Sequence, residues 1–238
     1  MFENFPKKRP PLPPEYQKIY DAHYKENREG GSKAAGLAQK LESWMHRRVS
    51  ADAQQPPVPA TLEIGGGTLN HLKYEPHTDV YDVIEPFKYL YESSPERSKV
   101  RNFYDDISEI PDGTKYGRIV SIATFEHIED LPSVVARSGL LLENDGTLRV
   151  AIPSEGTILW KLGYTLTTGA EFRKRYGLDY EVLMRHEHVN TASEIEDVLS
   201  YFFANVSFSC FGIARPLSIY QFFECSSPRE QRCVEYGK

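Results

Sequence analysis

Three consecutive glycines, Gly65, Gly66 and Gly67, close the apolar run that opens TLEIGGGTLN (residues 61–70), with Glu63 two places upstream and Asn70 at the sixth position of the turn. Glycines in a strand-to-helix turn let the backbone approach a ligand where any side chain would block it, and in an open α/β sheet the first such turn is the usual ligand site. A dinucleotide fingerprint needs a small residue where Asn70 stands, and a triphosphate loop needs a Gly-Lys-Ser/Thr that does not follow. Glu85 ends a second apolar run twenty residues after Gly65, a distance at which a carboxylate can accept hydrogen bonds from ribose hydroxyls. Asp106 follows a third run, in DISEIP. Carboxylates around the turn repel a pyrophosphate but suit a ligand carrying a positive amine and a sulfonium.

The pattern from residue 61 onward supplies the elements that must position these groups. Short apolar runs, TLEIGG (61–66), YDVIEP (81–86), VRNFYDDI (100–107), YGRIVSIATFEHI (116–128) and TLRVAIP (147–153), alternate with helix-length stretches. LPSVVARSGLLLENDG (131–146) reads as a helix closed by an Asp-Gly turn. This alternation predicts a Rossmann-like α/β fold, a mostly parallel seven-stranded sheet with helices on both faces. Thr191 and Glu194 are spaced as a capping box for the helix TASEIEDVLSYFF. Two runs, NVSFSCFGI and SIYQFFECS, come after it with so short a link that they must form a terminal antiparallel hairpin.

The 238 residues suit one core domain with appendages. Residues 1–60 read as a helical N-terminal extension and linker, and residues 61–238 as the core domain, interrupted by an insert at 157–190. Prolines at 6, 10, 11, 13 and 14 make the first residues extended and loosely ordered. Tyr16, Ile19, Tyr20, His23, Tyr24 and Asn27 then share one helical face ended by Gly30 and Gly31, and Ser32 is placed to cap a second helix carrying Leu37, Leu41, Trp44 and Met45. No apolar stretch is long enough for a membrane helix and no export leader is evident, so a cytoplasmic protein without membrane association is expected. The cysteines, Cys210, Cys225 and Cys233, are odd in number and lack Cys-x-x-Cys spacing, favouring reduced thiols. The net charge is −6 although the first fifty residues are net basic, so the body is acidic and not a generic nucleic-acid binder.

LEIGGGTLN, YDVIEP, DISEIP and SIATFEHIEDLP, in this order and spacing, resemble four motifs of the class I S-adenosylmethionine-dependent methyltransferases, over residues 60–156. The resemblance implies S-adenosylmethionine as cofactor and S-adenosylhomocysteine as its product. It implies that Gly65, Gly66 and Gly67 pass under the methionine part, with Asn70 closing the motif and Glu63 supporting the loop and the amino group. Glu85 would hold the ribose hydroxyls, Pro86 and Phe87 flank the adenine, and Asp106 take its amino group beside the Ile107 backbone. Thr124 and Phe125 would face the methionine moiety and the acceptor entrance.

A sulfonium is already a good methyl donor, so the protein must mainly align the nucleophile and exclude water, with a base for a hydroxyl acceptor. The candidate catalytic histidines are His127 in FEHIED, and His186 and His188 in MRHEHVN; His127 could equally be structural, capping the next helix. The His-x-His pair lacks a third nearby ligand, so no metal is expected. For the acceptor, Tyr20, Tyr24 and Arg28 of the first helix and Trp160, Tyr164, Arg173 and Tyr176 of the insert could form a lid, or simply pack helices. Adenine methylation would need an Asn/Asp-Pro-Pro-Tyr/Phe motif and cytosine methylation a Pro-Cys nucleophile; Thr124-Phe125-Glu126-His127 is neither. The expected acceptor, by analogy with the family, is a small molecule such as a sugar or secondary-metabolite hydroxyl or amine, with no nucleic-acid partner. The alternatives are a cofactor-binding partner or sensor without turnover, and an NAD-linked oxidoreductase, against which Asn70 speaks.

Overall fold

The computed structural model describes residues 2–20 and 33–236. Seven strands form one sheet: β1 Thr61–Ile64, β2 Tyr81–Ile84, β3 Asn102–Tyr104, β4 Tyr116–Ile122, β5 Leu142–Pro153, β6 Phe203–Gly212 and β7 Ser218–Pro228. Their order across the sheet is β3-β2-β1-β4-β5-β7-β6. The first five are mutually parallel, while β7 pairs antiparallel with both β5 and β6. The expected parallel sheet with a terminal hairpin is therefore present. The direction of strand succession reverses between β1 and β4, and such a switch point opens a crevice at the carboxyl ends of the strands.

Strand periodicity sorts the side chains onto two faces. On one, Leu62, Ile64, Ile119, Leu148, Val150, Ile152 and Phe223 pack beneath α4 (Leu131–Leu141), α8 (Ala192–Phe202) and α9 (Glu230–Tyr236). Thr191 caps α8 by accepting from the Glu194 backbone N–H, and the Glu194 carboxylate accepts from the Thr191 N–H at 2.8 Å, completing the predicted box. On the other face Val120, Ile122, Ala151, Tyr220 and Phe222 meet Met45 and Val49 of α2 (Lys33–Val49). The same face carries a buried polar group. Arg118 donates to both Asp52 oxygens at 2.9 Å and both Glu75 oxygens at 3.1 Å. His71 Nε2 lies 3.0 Å from Glu75, and His71 Nδ1 lies 3.0 Å from His46 Nδ1.

The connections differ from expectation at three places. No α-helix joins β1 to β2: residues 65–80 are turns and a single 3-10 turn, Leu72–Tyr74. Leu69 adopts φ 63, which breaks a helix at its first turn, and the buried Arg118 group draws in His71 and Glu75. After β2, α3 (Lys88–Tyr91) is one turn long. Helix α4 stops at Leu141, and the Asn144-Asp145-Gly146 stretch belongs to β5, which pairs with β4 through a register shift near Tyr116.

The proline-rich N-terminal segment is extended but held in place, contrary to loose ordering. The Lys7 N–H donates to the Glu129 carbonyl at 2.9 Å, and Lys7 Nζ donates to the Val189 carbonyl at 2.8 Å and to Glu194. Phe2 lies among Tyr201, Phe202 and Tyr236. Residues 14–20 form α1, whose Tyr16 packs with Leu12, Phe172 and Leu183. The insert folds as α5 (Ile158–Leu166), α6 (Thr168–Tyr176) and α7 (Tyr180–Glu187). His23, Tyr24, Asn27, Arg28, Gly30, Gly31 and Ser32 lie outside the described residues.

Candidate functional site

At the carboxyl end of β1 the chain turns sharply, because Gly65 (φ 80) and Gly67 (φ 50) take left-handed conformations. A Cβ at Gly65 would fall 2.2 Å from Thr124 Oγ1, and one at Gly66 would fall 2.4 Å from Val83, so the turn lies directly against the ends of β4 and β2. Glu85, buried at the end of β2, clasps this turn: its Oε2 accepts from the Gly67 N–H at 2.8 Å and its Oε1 from the Phe87 N–H at 3.1 Å. A carboxylate has about four acceptor positions, so two backbone donors leave capacity for further hydroxyl donors. Glu63 lies beneath the turn and accepts from Tyr81 Oη at 3.0 Å; burial pushes its carboxyl well above the usual range, reinforced by Glu75 and Glu85 against the opposing Tyr81 bond.

The rim is built from β2 and β3. Pro86 and Phe87 are exposed, Phe87 by 48%, leaving an aromatic face available at the edge of the crevice. Asp106 is exposed after β3 and accepts from the Ser108 N–H and hydroxyl at 2.9 and 2.6 Å, while Ile107 packs into the core. Asn70 is exposed just past the left-handed Leu69. At the end of β4 the placements divide. Thr124 touches the glycine turn, whereas Phe125 is fully buried in the core and offers its backbone carbonyl to Asn190 Nδ2 at 2.8 Å. Ala123, which sequence reasoning passed over, holds φ 50, an unusual conformation for a residue with a Cβ and one that concentrates at functional sites.

Beyond β4 the chain assembles a polar group from distant segments. The Val189 and Asn190 N–H groups both donate to the Glu126 carbonyl, at 2.8 and 3.1 Å, and the Asn190 amide also reaches the Ile128 carbonyl at 2.7 Å. This latch sets the His188 ring against His127, with centroids 4.8 Å apart and planes near perpendicular. His127 Nδ1 lies 2.9 Å from the Glu187 carbonyl, and its Nε2 lies 3.7 Å from Glu126 Oε1. His188 Nδ1 lies 2.7 Å from Glu155 Oε2, which also accepts from Trp160 Nε1 at 2.6 Å. Burial lowers the affinity of His188 for its second proton, but the Glu155 bond and the charges of Glu126, Glu155 and Glu187 outweigh it, and its pKa rises. Burial also raises the Glu187 carboxyl, with Arg9 and His188 opposing. An open cavity of about 570 Å³, lined in part by Lys7, Lys8, Arg185 and His188, reaches the group from outside.

The three candidate histidines therefore separate. His127 and His188 come together, while His186 Nδ1 donates to the Pro10 carbonyl at 2.7 Å and tethers the N-terminal segment. The insert aromatics separate too. Trp160 stacks over His188 and Tyr164 adjoins Trp160, whereas Tyr176 packs on Phe172 within the helix cluster. Arg173 is exposed and 3.6 Å from Asp179. Tyr20 donates to Glu187, which places α1 beside the histidine pair. Glu126, Glu155 and Glu187 are members of the group that sequence reasoning missed. Glu126 adjoins His127 in FEHIED, but nothing local marks Glu155.

No protein family matches the chain by sequence, and no curated protein matches it. Solved structures do match by fold. The plantazolicin methyltransferase BpumL, in complex with a triazolic desmethylPZN analog and S-adenosylhomocysteine, aligns with a TM-score of 0.59 at 14% identity, over 90% of this chain and 92% of that one. The N-methyltransferase NodS from Bradyrhizobium japonicum, in complex with S-adenosylhomocysteine, aligns at 0.56 and 15% identity over 90% and 99%. A possible histamine N-methyltransferase from Thermotoga maritima aligns at 0.56 and 12% identity over 89% and 97%. The chain has the fold of the S-adenosylmethionine-dependent methyltransferases.

Proposed function

We propose that this protein is an S-adenosylmethionine-dependent methyltransferase acting on a small-molecule acceptor, a sugar or secondary-metabolite hydroxyl or amine. The observation that carries the reading is the clasp at the switch point, where buried Glu85 holds the Gly65–Gly67 turn by its backbone N–H and the turn lies against Thr124. In this reading the remaining acceptor capacity of Glu85 takes the ribose hydroxyls, Phe87 stacks on the adenine, Asp106 receives its amino group, and the side-chain-free turn admits the methionine part. A pyrophosphate beside the Glu85 carboxylate would meet charge repulsion.

The acceptor lies toward Glu126, His127 and His188, beyond Thr124, with Trp160 and Tyr164 as the apolar wall and α1 as the outer wall. Transfer then needs the acceptor heteroatom in line with the methyl carbon and sulfur and shielded from water. A thermal-shift series with S-adenosylmethionine, S-adenosylhomocysteine and NADH tests the cofactor, because a ligand that binds only the folded state raises Tm by mass action. The two sulfur compounds are expected to raise it; a rise with NADH alone overturns the reading. Methyl transfer to a panel of hydroxyl and amine acceptors, followed by S-adenosylhomocysteine release, is then expected.

A further inference from the structure

We propose that Glu126, His127 and His188 form a binding site for a divalent transition-metal cation, at which the acceptor is held as a hydroxyl ligand. The role in transfer rests on the methyltransferase reading; the cation site itself does not. One ligand atom from each of the three side chains lies within 4.8 Å of the other two. A cation with ligands at about 2.0–2.2 Å sets neighbouring ligand atoms about 3.3 Å apart, so rotamer adjustments of about an ångström close the set.

The tautomers favour this use. His127 Nδ1 faces a backbone carbonyl that can only accept, so Nδ1 carries the proton and the Nε2 facing Glu126 carries the lone pair. His188 Nδ1 faces the Glu155 carboxylate, which likewise places the proton on Nδ1 and leaves Nε2 as the ligand nitrogen in the neutral ring. A backbone carbonyl behind one imidazole and a carboxylate behind the other is the outer arrangement that orients metal-bound histidines. The ligands come from segments sixty residues apart, clamped together by Val189 and Asn190 on the Glu126 carbonyl, so the set does not depend on one flexible loop. It also stays reachable, with the His127 side chain 23% and the His188 side chain 11% exposed.

Two imidazoles and one carboxylate suit zinc, cobalt, manganese or ferrous iron better than magnesium or calcium, which take oxygen ligands. Three protein ligands leave coordination positions for water and for an acceptor hydroxyl, whose acidity the cation raises. In transfer the acceptor oxygen forms a bond to the methyl carbon, and the carbon–sulfur bond breaks with its electron pair staying on sulfur. The hydroxyl proton leaves to solvent, balancing the lost sulfonium charge. The cation thus narrows the acceptor to a hydroxyl compound.

The test uses the full chain, stripped with a chelator and titrated with cobalt(II) while visible d–d absorption is followed, with S-adenosylhomocysteine binding measured in parallel. The expected result is one equivalent of cobalt, displaced by zinc, with affinity lowered at least about 100-fold in His188→Gln and in His127→Gln but unchanged in His186→Gln. Absence of a cobalt spectrum in the wild-type protein, or a spectrum unaffected by both ligand substitutions, overturns the site. If cobalt fails to bind while S-adenosylhomocysteine binds, the cation inference alone falls. If cobalt binds as expected and S-adenosylhomocysteine does not, the site stands and the methyltransferase reading falls.

Discussion

Among the described residues, two groups of two histidines and a glutamate are built to opposite ends. His46 of α2 meets His71 and Glu75 beneath the helix, with His71 and Glu75 fully sealed. Their hydrogen bonds are spent on one another: His71 Nε2 donates to Glu75 and its Nδ1 accepts from His46, while Arg118 supplies the counter-charge. Glu126, His127 and His188 lie at the carboxyl end of the sheet, Glu126 buried and the two histidines partly exposed, with the histidine Nδ1 atoms held by the Glu187 carbonyl and by Glu155. Residue type alone does not separate structure from chemistry here. What separates them is whether an arginine counter-charge is bonded directly to the group and whether the group is sealed from solvent.

The sealed group should carry stability and the open group turnover. Replacing Arg118 with Met leaves the buried Glu75 carboxylate without its cationic partner, a loss of about 3–5 kcal/mol expected in urea unfolding. A loss under about 1 kcal/mol would show the sealed group to be dispensable. His188→Ala should instead lower turnover by about 100-fold or more while changing the unfolding free energy by about 1 kcal/mol or less. A variant that unfolds like Arg118→Met would erase the contrast.

The sealed group also predicts an acid limb to stability. Burial, with His71 and Lys73 nearby, lowers the His46 pKa to about 3, and against the upward push of burial the His71 bond and the Arg118 charge hold Glu75 down to about 2. Both folded values lie below the unfolded ones, so the unfolded chain takes up protons first. The His46 contribution is complete above about pH 6.5 and declines toward pH 3, by up to about 1.4 kcal/mol per pH unit; that of Glu75 is complete above about pH 4.5 and is lost toward pH 2. His46→Asn keeps a donor for His71 but does not titrate, so its Tm should fall less steeply between pH 6.5 and 4; an equal slope would relocate the acid sensitivity. The smallest effect belongs to the rim. Phe87→Ala should weaken S-adenosylhomocysteine binding by about 3- to 10-fold, the worth of one aromatic stacking contact, without changing Tm of the unliganded protein.

The strands and the terminal hairpin were legible because period-2 apolar runs and short links leave few alternatives, and the Thr191–Glu194 box because its spacing is local. The missing helix after β1 was not, since Leu69 and the capture of His71 and Glu75 by Arg118 are tertiary effects that override a helix-compatible stretch. The glycine turn and Glu85 were legible as a motif. The pairing of His127 with His188 was not, because it depends on Asn190 bonding to the carbonyls of Phe125 and Ile128, more than sixty residues away in the chain. His186 and His188, two residues apart in the chain, have separate partners, Pro10 for one and Glu155 for the other.

The central claim, a methionine-derived cofactor at the Glu85 clasp, is tested most directly by calorimetric titration of S-adenosylhomocysteine into the wild-type protein and into Glu85→Ala. Saturable one-site binding to the wild type, weakened by about 10-fold or more in the variant as expected for lost charge-assisted hydrogen bonds, is predicted. No binding to the wild-type protein, or binding that Glu85→Ala leaves unchanged, would contradict it.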